Sequence, residues 1–149
     1  HRLEIVFNSK KFLIINDSKA TNGESAAAAL SSFKNIFWIA GGLPKEDGIG
    51  KAVKMLKNIN HIWLIGKSRN LFEKQILSVT SKIPINKFKN LHDAINSIFK
   101  NKEILKKTKV TILFSPAAAS FDQFKNFEAR GDFFKNTILK HIKEKDLTC

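Results

Sequence analysis

Only one cysteine occurs, at the last position, Cys149, so no internal disulfide can form. That excludes a disulfide-stapled scaffold and fits a reducing compartment. Three prolines and seven glycines in 149 residues leave nothing that reads as a flexible linker, an internal repeat or a low-complexity segment. Long apolar runs are missing too. Phe12–Ile15 and Ile36–Ala40 are among the longest, far short of the ~20 residues of a membrane-spanning helix. No basic head precedes a long apolar stretch at the N-terminus, which speaks against a secretory leader. The chain opens on His1 instead of methionine and is expected to be part of something longer. Acidic residues are scarce, 13 against 26 lysines and arginines, for a formal net charge of +13.

What is present suits one globular domain. The length is enough to bury a core, and 43% apolar residues exclude disorder. The charge invites a nucleic-acid reading, but lysines fall in nearly every element, from Lys10 and Lys34 to Lys140 and Lys143. Steering of a polyanion requires clustering, so the lysines are read as a solvated basic surface, with no specific nucleic acid and no membrane as partner.

The chain alternates strand-like and helix-like segments. Leu3–Phe7, a turn at Asn8-Ser9-Lys10, and Lys11–Ile15 predict a β-hairpin. Ala26–Leu30 is a run of strong helix formers that Thr21 or Asn22 is suited to cap. Asn35–Ala40, His61–Ile65, Ile85–Phe88 and Lys109–Phe114 read as further strands. Helices are expected over Ile49–Lys57 and Arg69–Val79, then around Leu91, Ala94, Ile95, Ile98 and Phe99, and finally around Phe134, Ile138, Leu139 and Ile142. An initial hairpin followed by strand–helix alternation predicts an α/β fold: a mostly parallel sheet with helices on both faces.

In such a sheet three loops, 16–22, 41–48 and 115–127, leave strand ends on one edge, where α/β domains bind ligands. Their contents suit an anion. Lys19 and Lys45 supply charge, and Ser18, Thr21, Ser115 and Ser120 supply hydroxyls. Gly41-Gly42 lets backbone amides approach closely, and a helix N-terminus near Asn22 faces the same place. A small molecule with carboxylates or phosphates is the expected ligand. Phe121, Phe124 and Phe127 read as core before they read as ligand contacts. Gly66-Lys67-Ser68 is not a P-loop, because that motif needs a glycine where His61 stands. His61, His92 and His141 have no metal-ligand companions at usable spacing, and no Ser/His/Asp arrangement is supported.

The longer motifs carry more. NDSKATN after one strand, GG-x-x-K after a second and SPAAASFDQFKNFEARG after a third resemble the C-terminal domain of the D-glutamate-adding Mur ligases, as does the opening His1-Arg2 pair. DQFKNFE-x-RG is the most specific of these. The resemblance runs through the whole chain in order. It implies a Rossmann-like three-layer α/β/α sandwich with an N-terminal hairpin. It further implies one third of a bacterial cytoplasmic enzyme of peptidoglycan synthesis, whose UDP-binding and central ATPase domains are not in this chain. The implied reaction joins D-glutamate to UDP-N-acetylmuramoyl-L-alanine through an acyl phosphate, using ATP and Mg2+ bound mainly by the central domain. By the same resemblance Thr21, Lys45, Ser120 and Phe127 hold D-glutamate, with the Phe121 backbone N–H as a further donor. His1, Arg2, Asp17 and Lys19 face ATP, and Lys19 lies close to both ligands. Ala118 stands where some relatives have cysteine, a change that a small residue absorbs. The implied partner is the central domain in cis, the implied state a monomer, and the domain alone is expected to fold without turning over. The alternatives are a sister Mur or folylpolyglutamate-type ligase domain, or a basic nucleic-acid-binding module.

Overall fold

A computed structural model describes residues 1–147; Thr148 and Cys149, and with them the terminal thiol, lie outside the described residues. Six strands form one sheet: β1 (Glu4–Asn8), β2 (Phe12–Asn16), β3 (Ile36–Gly41), β4 (Ile59–Ile65), β5 (Ile85–Phe88) and β6 (Val110–Phe114). Their order is β1-β2-β6-β3-β4-β5. β1 pairs antiparallel with β2, with a bulge between Ile5 and Phe7, and the other five strands are parallel. This is the mostly parallel sheet with an N-terminal hairpin that the alternation predicts.

The central strands β3 and β6 are buried along their whole length, so β3 reads as an unbroken apolar run and β6 as one broken only by Thr111. One sheet face is covered by α1 (Gly23–Ser31), a 3₁₀ turn at Gly50–Lys54 and α2 (Arg69–Leu77). There Trp38, Ile62 and Leu64 pack beneath Ala26, Leu30, Phe72 and Ile76. The other face is covered by α3 (Leu91–Lys100), α4 (Lys102–Lys106) and α5 (Phe127–Glu144), with Trp63, Ile112 and Phe114 beneath Ile95, Phe99 and Phe134. Two cores back to back on one sheet make the three-layer sandwich.

Boundaries differ from the sequence reading in two informative places. The segment expected as a helix over Ile49–Lys57 is only a 3₁₀ turn, Gly50–Lys54. Gly48 and Gly50 on either side of Ile49 adopt positive φ, so a regular helix cannot start there. α5 begins at Phe127, about two turns before the apolar periodicity reads clearly at Phe134, because its first buried face is Arg130-Gly131. Asn126 starts it, its side-chain oxygen accepting from the Ala129 N–H at 2.8 Å. Removing such a cap costs about 1 kcal/mol. Asn126→Ala is therefore expected to lower the unfolding free energy of the chain by about that amount, read from a denaturant midpoint; an unchanged midpoint contradicts this account of the helix start.

Candidate functional site

The connection after β2 runs to α1 on one face of the sheet, while the connection after the adjacent β6 runs to α5 on the other. Neighbouring strands whose exits diverge leave a crevice at their carboxyl ends, and in open α/β sheets ligands bind there. Loop 16–22 and loop 115–126 flank that crevice, and loop 42–49 lies beside them after β3. Backbone bonds tie the three together. The Asp17 N–H donates to the Phe114 carbonyl at 2.8 Å and the Ala117 N–H to the Ala20 carbonyl at 3.0 Å. Leu43 and Ala119 exchange N–H to carbonyl bonds at 2.8 and 2.9 Å. The Trp38 indole N–H holds the Ser115 carbonyl at 2.8 Å from below.

Closeness of backbone here requires glycine. At Gly42, φ +148°, a Cβ would run into the Ala119 carbonyl oxygen. At Gly41, φ +125°, it would run into the Ile65 carbonyl of the neighbouring strand. Ala117 adopts φ +58° although it has a Cβ. Such a backbone costs roughly 1–2 kcal/mol and persists only where its surroundings hold it. Its hydrogen bond to Ala20 and complete burial do that.

The centre of the assembly is Arg130, 1% exposed, on the first turns of α5. Its Nη1 donates to the Ala118 carbonyl at 3.0 Å, its Nη2 to the Ser18 carbonyl at 2.7 Å, and its Nε to the Ser18 Oγ at 3.0 Å. The Ser18 hydroxyl in turn donates to the Phe127 carbonyl at 2.8 Å. The guanidinium also sits 5.7 Å from the Phe114 ring centroid. Burial lowers its pKa from the ordinary arginine value to about 10, and the charge of Asp122 opposes that shift, so it stays cationic at neutral pH. One side chain thus joins the loop after β2, the loop after β6 and the helix that follows. The sequence reading placed Arg130 inside a specific motif without giving it this task. The signal was an arginine on the buried stripe of a helix, three residues after Phe127 and four before Phe134.

Around this frame the expected ligand contacts take their places. Thr21 follows Ala20, Ser120 follows Ala119, and Lys45 lies two residues beyond Leu43, so all three share the edge that the cross-loop bonds define. Ser120 is 2% exposed, and neither its hydroxyl nor that of Thr21 makes a hydrogen bond among the described residues. Lys45 is exposed and forms no ion pair among those residues. The Phe127 carbonyl is engaged by Ser18, and its ring is half-buried at the helix start. Phe124 is half-buried against the core, but Phe121 is 68% exposed, so the reading of Phe121 as a core residue fails. The chain turns outward after Ser120 because Asp122 is drawn to the Lys67 N–H at 3.1 Å, across the loop after β4.

Arg2, Asp17 and Lys19 line one cavity of about 220 Å³, with Ser25 and Ala29 of α1 and Ser32 just after it as its far wall. That is smaller than the ~300–1,000 Å³ of complete small-molecule sites, as a half-site would be. Asp17 is a structural anchor in it. One carboxylate oxygen accepts from the Leu3 N–H at 3.1 Å and the other from the Ser115 hydroxyl at 2.8 Å. Burial raises its pKa above the ordinary aspartate value, and the hydrogen bonds from Ser115 and Leu3 partly offset this. His1 is not among the residues lining this cavity. Its ring lies over Gly131, with Nδ1 2.9 Å from Glu4 and Nε2 2.8 Å from Asp132, while its carbonyl accepts from the Lys19 N–H at 3.1 Å. Asn16, also buried, bonds the Gly131 carbonyl at 2.9 Å and the Ser18 N–H at 3.2 Å. Two cations around a cavity fit phosphate. Among the described residues no group of three or more His, Cys, Asp or Glu is arranged for a metal, so no residue here is assigned to magnesium.

Comparison with known proteins gives the same direction. Residues 1–118 match the family described as Mur ligase, glutamate ligase domain. The chain is 44% identical, over 90% of its length, to a UDP-N-acetylmuramoylalanine–D-glutamate ligase of Wolbachia from Brugia malayi. It is 40% identical, over 97% of its length, to the enzyme of that name from Bartonella henselae. It spans only 26% and 30% of those two relatives. Among solved structures, a murein peptide ligase from Psychrobacter arcticus superposes with a TM-score of 0.60 at 11% identity, covering 95% of this chain and 29% of that one. A UDP-N-acetylmuramate–alanine ligase from Thermotoga maritima gives 0.60 at 13% identity, covering 93% of this chain and 30% of that one. At those identities the likeness is one of fold.

Proposed function

Because the chain belongs to the Mur ligase glutamate ligase domain family, we propose that it is the amino-acid-holding domain of a longer ATP-dependent ligase. That ligase joins D-glutamate to UDP-N-acetylmuramoyl-L-alanine in bacterial peptidoglycan synthesis. The observation that carries the reading is the pair of hydroxyls, Thr21 and Ser120, with the cation Lys45, all without a partner among the described residues and on loops bonded to one another at the sheet's divergent strands. D-glutamate bears two carboxylates and one reactive amine. Lys45, the two hydroxyls and backbone N–H groups such as that of Phe121 fix the carboxylates, and the amine is left free. Phe127 contributes the wall of its ring.

On the neighbouring side Arg2 and Lys19 meet phosphate charge of ATP, and Asp17 sets the loop that carries Lys19. The remaining chemistry, including phosphate cradling, Mg2+ and the UDP-sugar, falls to domains outside this chain in the proposed enzyme. Those domains are its partner in cis, and its compartment is the bacterial cytoplasm. Among the described residues no helix is long and apolar enough to cross a membrane.

The test is Lys45→Ala in the full-length ligase. A charge-assisted hydrogen bond is worth about 1.5–3 kcal/mol, so the KM for D-glutamate is expected to rise roughly 10- to 100-fold while that for ATP stays within about twofold. Because Lys45 is exposed, folding should not be affected. An equal rise in both constants, or none in either, rejects this use of Lys45.

A further inference from the structure

The lysines that look scattered in the sequence are gathered by the fold. Each parallel strand is led into at the amino edge of the sheet, opposite the ligand crevice. Lys10 and Lys11 precede β2, Lys107 and Lys109 precede β6, and every one of them is exposed. Lys34, Lys57 and Lys82 stand in the same way before β3, β4 and β5. These lead-in segments touch in a row. The Val110 N–H donates to the Lys11 carbonyl and the Thr111 N–H to the Asn35 carbonyl; the Ile36 N–H donates to the Asn58 carbonyl and the Ile62 N–H to the Pro84 carbonyl. No aspartate or glutamate occurs in 9–11, 32–35, 55–58, 80–84 or 106–109. None of these lysines is ion-paired among the described residues. Five strands spaced ~4.8 Å apart make a band of cations ~19 Å across. The loops at the opposite edge mix Lys19, Lys45, Lys67, Lys89 and Lys125 with Asp17, Glu46, Asp47 and Asp122, close to charge balance. The positive charge is therefore polarised.

Helix dipoles do not account for it. Longer helices end near this edge, but each end is equivalent to only about half a negative charge, leaving most of the band uncompensated. Two apolar features lie within the band. Leu77 and Val79, in the stretch from α2 to β5, are 50% and 59% exposed. Beside them is an open cavity of about 500 Å³ with Leu56, Ile59, Val79 and Ile83 in its wall and Lys57 and Lys82 at its rim. Apolar ground rimmed by lysines suits acyl chains beneath anionic headgroups. A single-stranded nucleic acid would call for exposed aromatic platforms. The aromatic of these segments, Phe33, is instead half-buried against the core.

We propose that the amino edge of the sheet is a docking face for an anionic lipid bilayer, which leaves the ligand crevice turned away from the membrane. The experiment is co-sedimentation of the chain with vesicles of phosphatidylcholine alone or with 30% phosphatidylglycerol, at low and high salt. Binding is expected only to the anionic vesicles and to fall with salt. Replacing four edge lysines together (Lys10→Gln, Lys11→Gln, Lys107→Gln, Lys109→Gln) is expected to weaken it roughly six-hundredfold, since each basic residue near such a surface is worth roughly fivefold. The same charge removed elsewhere, by Lys51→Gln, Lys67→Gln, Lys89→Gln and Lys125→Gln, should cost under tenfold. Leu77→Asn with Val79→Asn, both exposed and so without cost to folding, should weaken binding roughly tenfold at constant charge. The proposal is overturned by no binding to the anionic vesicles at low salt, by equal losses in the two lysine sets, by no effect of the Leu77 and Val79 pair, or by tighter binding to a 20-nucleotide RNA than to the vesicles.

Discussion

Arg130→Leu is expected to destabilise the chain by roughly 3–5 kcal/mol, a large part of the 5–15 kcal/mol that holds a typical domain. Leucine fills much of the volume, so the loss is polar. The Ala118 and Ser18 carbonyls, 3.0 and 2.7 Å from the guanidinium, are left buried without donors, and each such orphan costs about 1–3 kcal/mol. Ser18 keeps its bond to Phe127 and loses the donor that orients it. Arg130→Lys should recover only part, because an ammonium cannot reach three acceptors with a planar fork. Urea unfolding of the three proteins reads this directly. A leucine variant within 1 kcal/mol of the parent would show that the buried guanidinium's desolvation had already offset its hydrogen bonds.

Gly42→Val is expected to be comparably severe, at roughly 3–4 kcal/mol. A β-branched residue at φ +148° is strained by itself, and its Cβ is aimed at the Ala119 carbonyl, with Arg130 Nη1 at 3.2 Å and the Ala118 Cβ at 3.3 Å. Backbone must move, and the backbone in the way is half of the Leu43–Ala119 bridge. Loss of stability should therefore come with loss of alignment between Lys45 and Ser120. Any variant that folds in the full-length ligase should show a raised KM for D-glutamate. A Gly42→Val protein with parental stability and a parental KM would remove the bridge from the site.

Much of the scaffold could be read before the structure, because it rests on local chemistry. Ile36–Ala40 is apolar without interruption, and Val110–Phe114 is broken only by Thr111, because both faces of β3 and β6 are covered. Asn22 caps α1 through the Ser25 N–H, one of the two residues expected there. Loops 16–22 and 115–127 lie at the edge that strand–helix alternation implies. What could not be read depends on contacts distant in the chain. Arg130 is polar by composition and structural by position, and only Ser18, 112 residues away, shows why. His1 carries no local sign that its ring packs on Gly131. The lysine row is the plainest case, since its members are separated by strands and helices in sequence and adjacent only through the sheet's order. Charge spacing along a chain says nothing of clustering across strands.

The bulge in β1 has a consequence of its own. An open sheet offers two rims at which a foreign strand could add, and such addition is how folded domains begin to aggregate. At one rim the register of β1 shifts between Ile5 and Phe7, breaking the ladder a newcomer would follow. At the other, β5 is only four residues long, is entered through Pro84 and carries an exposed Lys87. Neither rim gives a flat template. A chain with two buried, strongly apolar central strands thus ends on both sides in strands that are poor at recruiting copies of itself.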